Sequence, residues 1–270
     1  MSRAKGILLV FVVAACAAAI LFLVLPRGRA PAEETAIRAD GVTLQGYTEQ
    51  GEITWEIHAA LGALEESTGT LDDVTVRFHN ENRPPLEARG DRLVRGPSVS
   101  RLQGGVLVEQ EDGLRLETEE LVWDESIDRL AAGPVTVAIE GMVLHAAAFS
   151  YDLSARRAEF EGGVEAAVDR DPRVEVRADR AEERDEVLVL EGAVAVRIEG
   201  EGEFACQALT TDLAGTTLDL SGGVEGTLSD VRIAAGALSL NEDGLRARDG
   251  AVFELDLGRL GDDAKPVEGA

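Results

Sequence analysis

LSGGVEG, residues 220–226, repeats a phrase that the chain has already used several times. LQGGVLV begins at Leu102, AAGPVTV at Ala131, FEGGVEA at Phe160 and LEGAVAV at Leu190. The valines that follow these corners are Val106, Val135, Val164, Val194, Val224 and Val252, with Val74 of "LDDV" ahead of them. Their spacing stays close to 30 residues, and a period of that size over most of a chain signals a repeat architecture.

A second phrase lies between the valines. It reads Leu116-x-Thr118-x-x-Leu121-x-Trp123-Asp124, then Leu144-x-Ala146-x-x-Phe149-x-Tyr151-Asp152. It returns as Phe204-x-Cys206-x-x-Leu209-x-Thr211-Asp212 and Ile233-x-Ala235-x-x-Leu238-x-Leu240-Asn241, with weaker copies starting at Ile57, Leu86 and Val176. The copies end at Glu65, Val94, Asp124, Asp152, Arg184, Asp212 and Asn241. Apolar residues at i, i+2, i+5 and i+7 fit a strand with one slip of phase, not a helix. We assign the slip to a β-bulge within this phrase. The glycine pair reads as a corner just before the V-x-V strand, and the closing Asp or Asn suits a turn. Two bent strands per repeat predict an all-β fold, an elongated twisted β-jellyroll or solenoid-like stack with an apolar interior and exposed end strands.

Composition narrows the function. Of 270 residues, 45% are hydrophobic but only 4% aromatic, so the core is aliphatic. Asp and Glu outnumber Lys and Arg 51 to 26, a net charge of -25, which excludes the basic footprint of nucleic-acid binding. Ile7 to Leu25 is an uncharged run long enough to span a bilayer as one helix, flanked by Arg3 and Lys5, and it predicts a single-pass anchor with the body exported. A lipidated Cys16 and a cleaved signal are the alternatives. The folded part has one thiol, Cys206, and no internal disulfide.

Catalytic and metal-binding words are missing. His58, His79 and His145 have no ligand spacing, and HExxH, G-x-S-x-G, P-loop and calcium-loop motifs are absent. Glu119-Glu120 and Glu182-Glu183 fall at the phase slip and read as a solvated outer face. The expectation is a non-enzymatic protein without cofactor or metal.

An N-terminal apolar helix ahead of "GEITWEIHAALGALEESTGTLDDVTVRFH", "PPLEARGDRLV" and "LQGGVLVEQEDGLRLETEELVWD" resembles the LptC family of lipopolysaccharide-export proteins. The resemblance covers about residues 6–152, and the repeats at 130–257 resemble the LptA/OstA unit of the same pathway. It implies residues 1–6 in the cytoplasm, 7–25 as the anchor in the inner membrane and 26–35 as linker. A jellyroll over 36–152, an extension over 153–258 and a flexible tail over 259–270 follow, with the body in the periplasm. Implied partners are lipopolysaccharide or a related glycolipid, an ABC transporter, and an LptA-like periplasmic jellyroll stacked end to end. The inward positions Trp55, Ile57, Leu116, Leu121, Trp123, Leu144, Phe149, Tyr151, Phe204, Leu209, Ile233 and Leu238 are the expected wall of a lipid groove. Two alternatives stand beside this reading: a scaffolding repeat protein with a closed core, and a polysaccharide-acting solenoid enzyme, which the even spread of acids disfavours.

Overall fold

Each long strand of this protein bends once near its middle, and the bends line up. The computed structural model describes residues 37–65, 68–79, 84–111, 113–229, 231–241 and 244–255; the apolar run 7–25, the linker and the tail lie outside them. Among the described residues there is one antiparallel sheet of 17 strands and no helix. These are β1 (Ile37–Tyr47), β2 (Ile53–Glu65), β3 (Thr68–Phe78), β4 (Leu86–Arg95), β5 (Val99–Glu109), β6 (Arg115–Asp124), β7 (Arg129–Ala132), β8 (Val135–Ile139) and β9 (Met142–Asp152). They continue as β10 (Arg157–Val168), β11 (Val174–Arg184), β12 (Val187–Ile198), β13 (Gly202–Asp212), β14 (Leu218–Leu228), β15 (Val231–Asn241), β16 (Gly244–Arg248) and β17 (Val252–Leu255). Neighbours in sequence pair throughout as a meander. β7 and β8 share one place between β6 and β9, because the Gly133-Pro134 corner interrupts that strand; β16 and β17 share the last place beside β15. At about 4.8 Å per place the ladder runs roughly 70 Å. β9 and β10 pair from Asp152/Arg157 to Met142/Val168, so the ladder is unbroken where the two predicted repeat regions meet.

The predicted phrases map onto this meander closely. The seven phrase ends fall at, or one residue from, the ends of β2, β4, β6, β9, β11, β13 and β15. Asp124, Asp152 and Asp212 close the following turns, each accepting a backbone N–H through Oδ1: from Ser126 at 3.0 Å, Ser154 at 2.9 Å and Thr216 at 2.7 Å. Such side-chain bonds, Asx turns at Asp124 and Asp152, hold the chain where a strand must reverse.

Two details of the prediction are corrected. The glycine pair lies inside a continuous strand, not before one, and the extra residue belongs to the glycine strand. Glu161 and Val164 of β10 pair with Ala148 and Ala146 of β9, so Gly162 and Gly163 together face the single Ala147. Both glycines have left-handed backbone, φ 80° and 90°. A Cβ on Gly162 would lie 2.8 Å from the Ala147 Cβ, whereas one on Gly163 would meet nothing within 4 Å. The first position therefore needs glycine for space and the second only for φ. That division explains LEGAVAV, in which the first position stays Gly192 and the second is Ala193, held at φ 45°.

The corner divides every long strand into a first limb, such as Met142–Ala146, and a second limb, such as Ala148–Asp152. The limbs face each other across the core. Trp123 on the second limb of β6 packs edge-on against Trp55 and Phe78, first-limb residues of β2 and β3, at 5.4 and 5.0 Å between ring centroids. A first limb is thus opposed by the second limb of strands two to four places further along. Arg170, in the first-limb turn after β10, likewise reaches Gly215 in the second-limb turn after β13. Among the described residues this stagger leaves an inward ledge unopposed at each end of the ladder. Leu64 on β2 is 43% exposed, and Phe253 on β17, which pairs with the buried Ile233, is 56% exposed.

Replacing Gly163 with Ala should cost about 1 kcal/mol, the price of left-handed backbone for an L residue. Gly162→Ala should cost about 1–3 kcal/mol more, because the added methyl overpacks against Ala147. Chemical unfolding of the two variants checks the order; equal losses would show that Ala147 moves away freely.

Candidate functional site

Alternation along each limb sends one row of side chains inward, and that row is apolar nearly everywhere. Ile57, Leu116, Leu121, Trp123, Leu144, Phe204, Leu209, Ile233 and Leu238 are buried, and Trp55, Phe149 and Tyr151 are half-buried against the same core. All twelve expected groove residues therefore lie on one continuous interior lining. His58 and His145 face outward; His145 Nδ1 is hydrogen-bonded to Thr136 Oγ1 at 3.0 Å. Glu119 and Glu182 are exposed, and Glu120 accepts a hydrogen bond from Gln103.

Around Trp123 the interior is tightly packed. Between Val76, Phe78, Leu93, Ser100, Leu121 and Trp123 remains a void of about 10 Å³, room for no more than one water. Each fully buried Leu or Ile here contributes about 1.5–3 kcal/mol, so the packed state is strongly favoured over an empty channel. A chain-like ligand enters this core only where the limbs part.

Parting is easiest along the seam where first-limb and second-limb turns meet. Polar links cross it at two places among the described residues: Arg170 Nη1 donates to the Gly215 carbonyl at 3.0 Å, and the Arg95 guanidinium lies over the Trp55 ring, 4.6 Å from its centroid. Between these points, partly buried apolar residues such as Leu114, Ile139 and Leu153 pack against the core.

Arg95 is the residue that sequence reasoning missed. It stands in register with Ser100 on β5, which in turn pairs with Trp123, so all three point into the seam. Arg95 Nη2 donates to Glu125 Oε2 at 2.9 Å, and Ser100 Oγ donates to Glu125 Oε1 at 3.1 Å. Burial pushes the Glu125 carboxyl above its usual value, opposed by the pull of Arg95. The same burial draws the Arg95 guanidinium below its usual value, with Glu125 acting the other way. Alternation from the inward Leu93 to Arg95 was the available signal. The phrase as written stops at Val94, one residue short of it.

A shallow trough of about 960 Å³ lies on the outer side of the corners, lined by Glu117, Glu119, His145, Glu165 and Arg177 among others. Its walls carry the pairs Arg177–Glu165 at 3.2 Å and Arg115–Glu117 at 2.8 Å beside apolar Leu107, Pro134 and Ala147. Among the described residues no three His, Cys, Asp or Glu side chains converge as a metal site. No known protein family matches the sequence, and no curated protein is recognisably similar to it.

Losing one hydrogen bond from a charged donor is worth about 1.5–3 kcal/mol, at least about a tenfold shift in a local opening equilibrium. Arg170→Ala should therefore speed amide hydrogen exchange in the 213–217 turn at least about tenfold and leave exchange in the 120–124 limb unchanged. Uniform acceleration of both would mean that Arg170 stabilises the whole fold instead of the seam.

Proposed function

We propose that this protein is a non-enzymatic lipid conduit of the lipopolysaccharide-export kind: a twisted β-jellyroll anchored in the inner membrane that passes lipopolysaccharide or a related glycolipid through the periplasm. The carrying observation is the long, mostly apolar lining that follows the ladder from Ile57 to Leu238. The likeness of the Trp55, Gly104-Gly105 and Trp123 phrases to the LptC family supports the same reading.

Energetics suit the task. An acyl chain of about a dozen methylenes costs roughly 10 kcal/mol to expose to water, at about 0.8 kcal/mol per CH₂. Seam side chains that exchange each other for a lipid chain keep their apolar contacts, so opening around cargo is far cheaper than opening into water. Near-identical repeats offer such contacts at every step without a deep trap. The free outer edges of β1 and of β16 and β17, which pair on one side only within the described residues, suit strand addition by an LptA-like partner and by the transporter. The net charge of -25 keeps anionic headgroups out of the interior's surroundings unless divalent ions or local cations offset it.

A second reading is favoured by one observation, the filled interior. In that reading the protein is a scaffold of the cell envelope with a permanently dry core and partners at its ends only.

Native mass spectrometry of the full chain, purified in mild detergent from a lipopolysaccharide-producing host, separates the two. The conduit carries glycolipid, and Phe149→Asp, a change at a half-buried inward position, reduces the loaded fraction at least tenfold while the fold survives. A clean unliganded mass together with no uptake of added lipid would leave the scaffold.

A further inference from the structure

Most inward positions of this ladder are aliphatic, yet at the seam of β4 to β6 the row reads Arg95, Ser100, Trp123. Folding alone does not call for a cation there, since a buried charge is costly and well-packed apolar residues replace buried ion pairs without loss. The pair it makes is also incomplete. Arg95 Nη1 and Trp123 Nε1 are buried donors with no acceptor among the described residues, and Trp123 is 5% exposed. An unmet buried donor costs about 1–3 kcal/mol, so two in one cluster mark a place shaped for something else. Trp55 joins them: Arg95 lies over its ring, and Trp123 packs edge-on against it. The Arg95 side chain is 24% exposed, which leaves the cluster open to the outside at the seam.

We propose that Arg95 and Trp123, backed by Trp55, form a receptor for the phosphate of an amphiphile's headgroup, holding it at the seam while the acyl chains lie in the apolar core. The site rests on the conduit reading. Both free groups are donors, which selects an anion over a sugar hydroxyl or an ammonium group. A guanidinium offers five N–H donors in a fixed fork matched to phosphate oxygens, and Glu125 occupies only part of that fork. Glu125 also holds the guanidinium in place before the ligand arrives. Within so acidic a molecule, this partly sheltered cation is where an anionic headgroup meets attraction instead of repulsion.

Trp55 and Trp123 are the only two tryptophans of the chain, so its intrinsic fluorescence reports on this cluster directly. The full chain in nonionic detergent is titrated with phosphatidic acid, with diacylglycerol of the same chains, and with inorganic phosphate, following tryptophan emission and bound mass. The expected result is at least tenfold tighter uptake of phosphatidic acid than of diacylglycerol. Arg95→Met should abolish that preference while diacylglycerol still binds, and Trp123→Phe should independently lower the preference severalfold, which keeps the test valid if Arg95→Met fails to fold. Equal uptake of both lipids by the native chain would overturn the phosphate site and leave the conduit standing. Uptake of neither would remove the conduit and the site together. An emission change driven by inorganic phosphate at the same concentrations would make this a free-anion site and overturn its assignment to a headgroup.

Discussion

The close approach at each strand corner is the constraint on which the rest of this fold depends. A β-ladder of this length would otherwise be an open twisted sheet with one or both apolar faces in water. In β5, β10, β12 and β14 two consecutive residues in left-handed backbone, opposite one residue of the preceding strand, set the level at which the strands turn. They bring the two limbs of each strand to face each other. The core, the seam and the interior row all follow from that repeated local geometry. Where a corner departs from the pair, the chain finds another device for the same turn: Asp73 alone at φ 55° in β3, or the interruption at Gly133-Pro134 between β7 and β8. Aspartate tolerates left-handed backbone better than most residues, and proline gives up an N–H that a broken strand does not need.

Much of this was legible beforehand because the determinants are local. The seven phrase ends mark strand ends, since alternation and turn-closing Asp or Asn residues act within a few positions of one another. The twelve inward residues were identifiable for the same reason. What sequence periodicity misassigned was the side of the bulge, because an extra residue is defined only against a partner strand. Phe160 and Val164 keep even parity through the corner, while Ala146 and Phe149 change it, so the strand that looks irregular on paper is the one without the insertion. The stagger of the limbs is legible nowhere in the chain. It depends on contacts such as Trp123 with Trp55, far apart in sequence, and the inward Arg95 became visible only through its register with Ser100.

The filled interior bears on motion more than on capacity. With a core of Val, Leu, Ile and Ala and few rings, small displacements of a limb rearrange contacts of similar worth instead of breaking interlocked aromatic packing. The aromatic residues gather at two points, Trp55, Phe78 and Trp123 at the seam and Phe149 against Phe160 closer to the corner. In the proposed conduit the seam rings would be the parts that yield to cargo, while the corners hold the limbs on a common hinge line.

The stagger also makes the two ends of the ladder unlike. One end presents a bare second limb, near Leu64, and the other a bare first limb, near Phe253. In shape they correspond to the two halves of a lap joint, so contact end to end would bring unlike ledges together. Units of this shape joined end to end would all face the same way, so a filament made from them has a direction before any cargo or energy source acts on it.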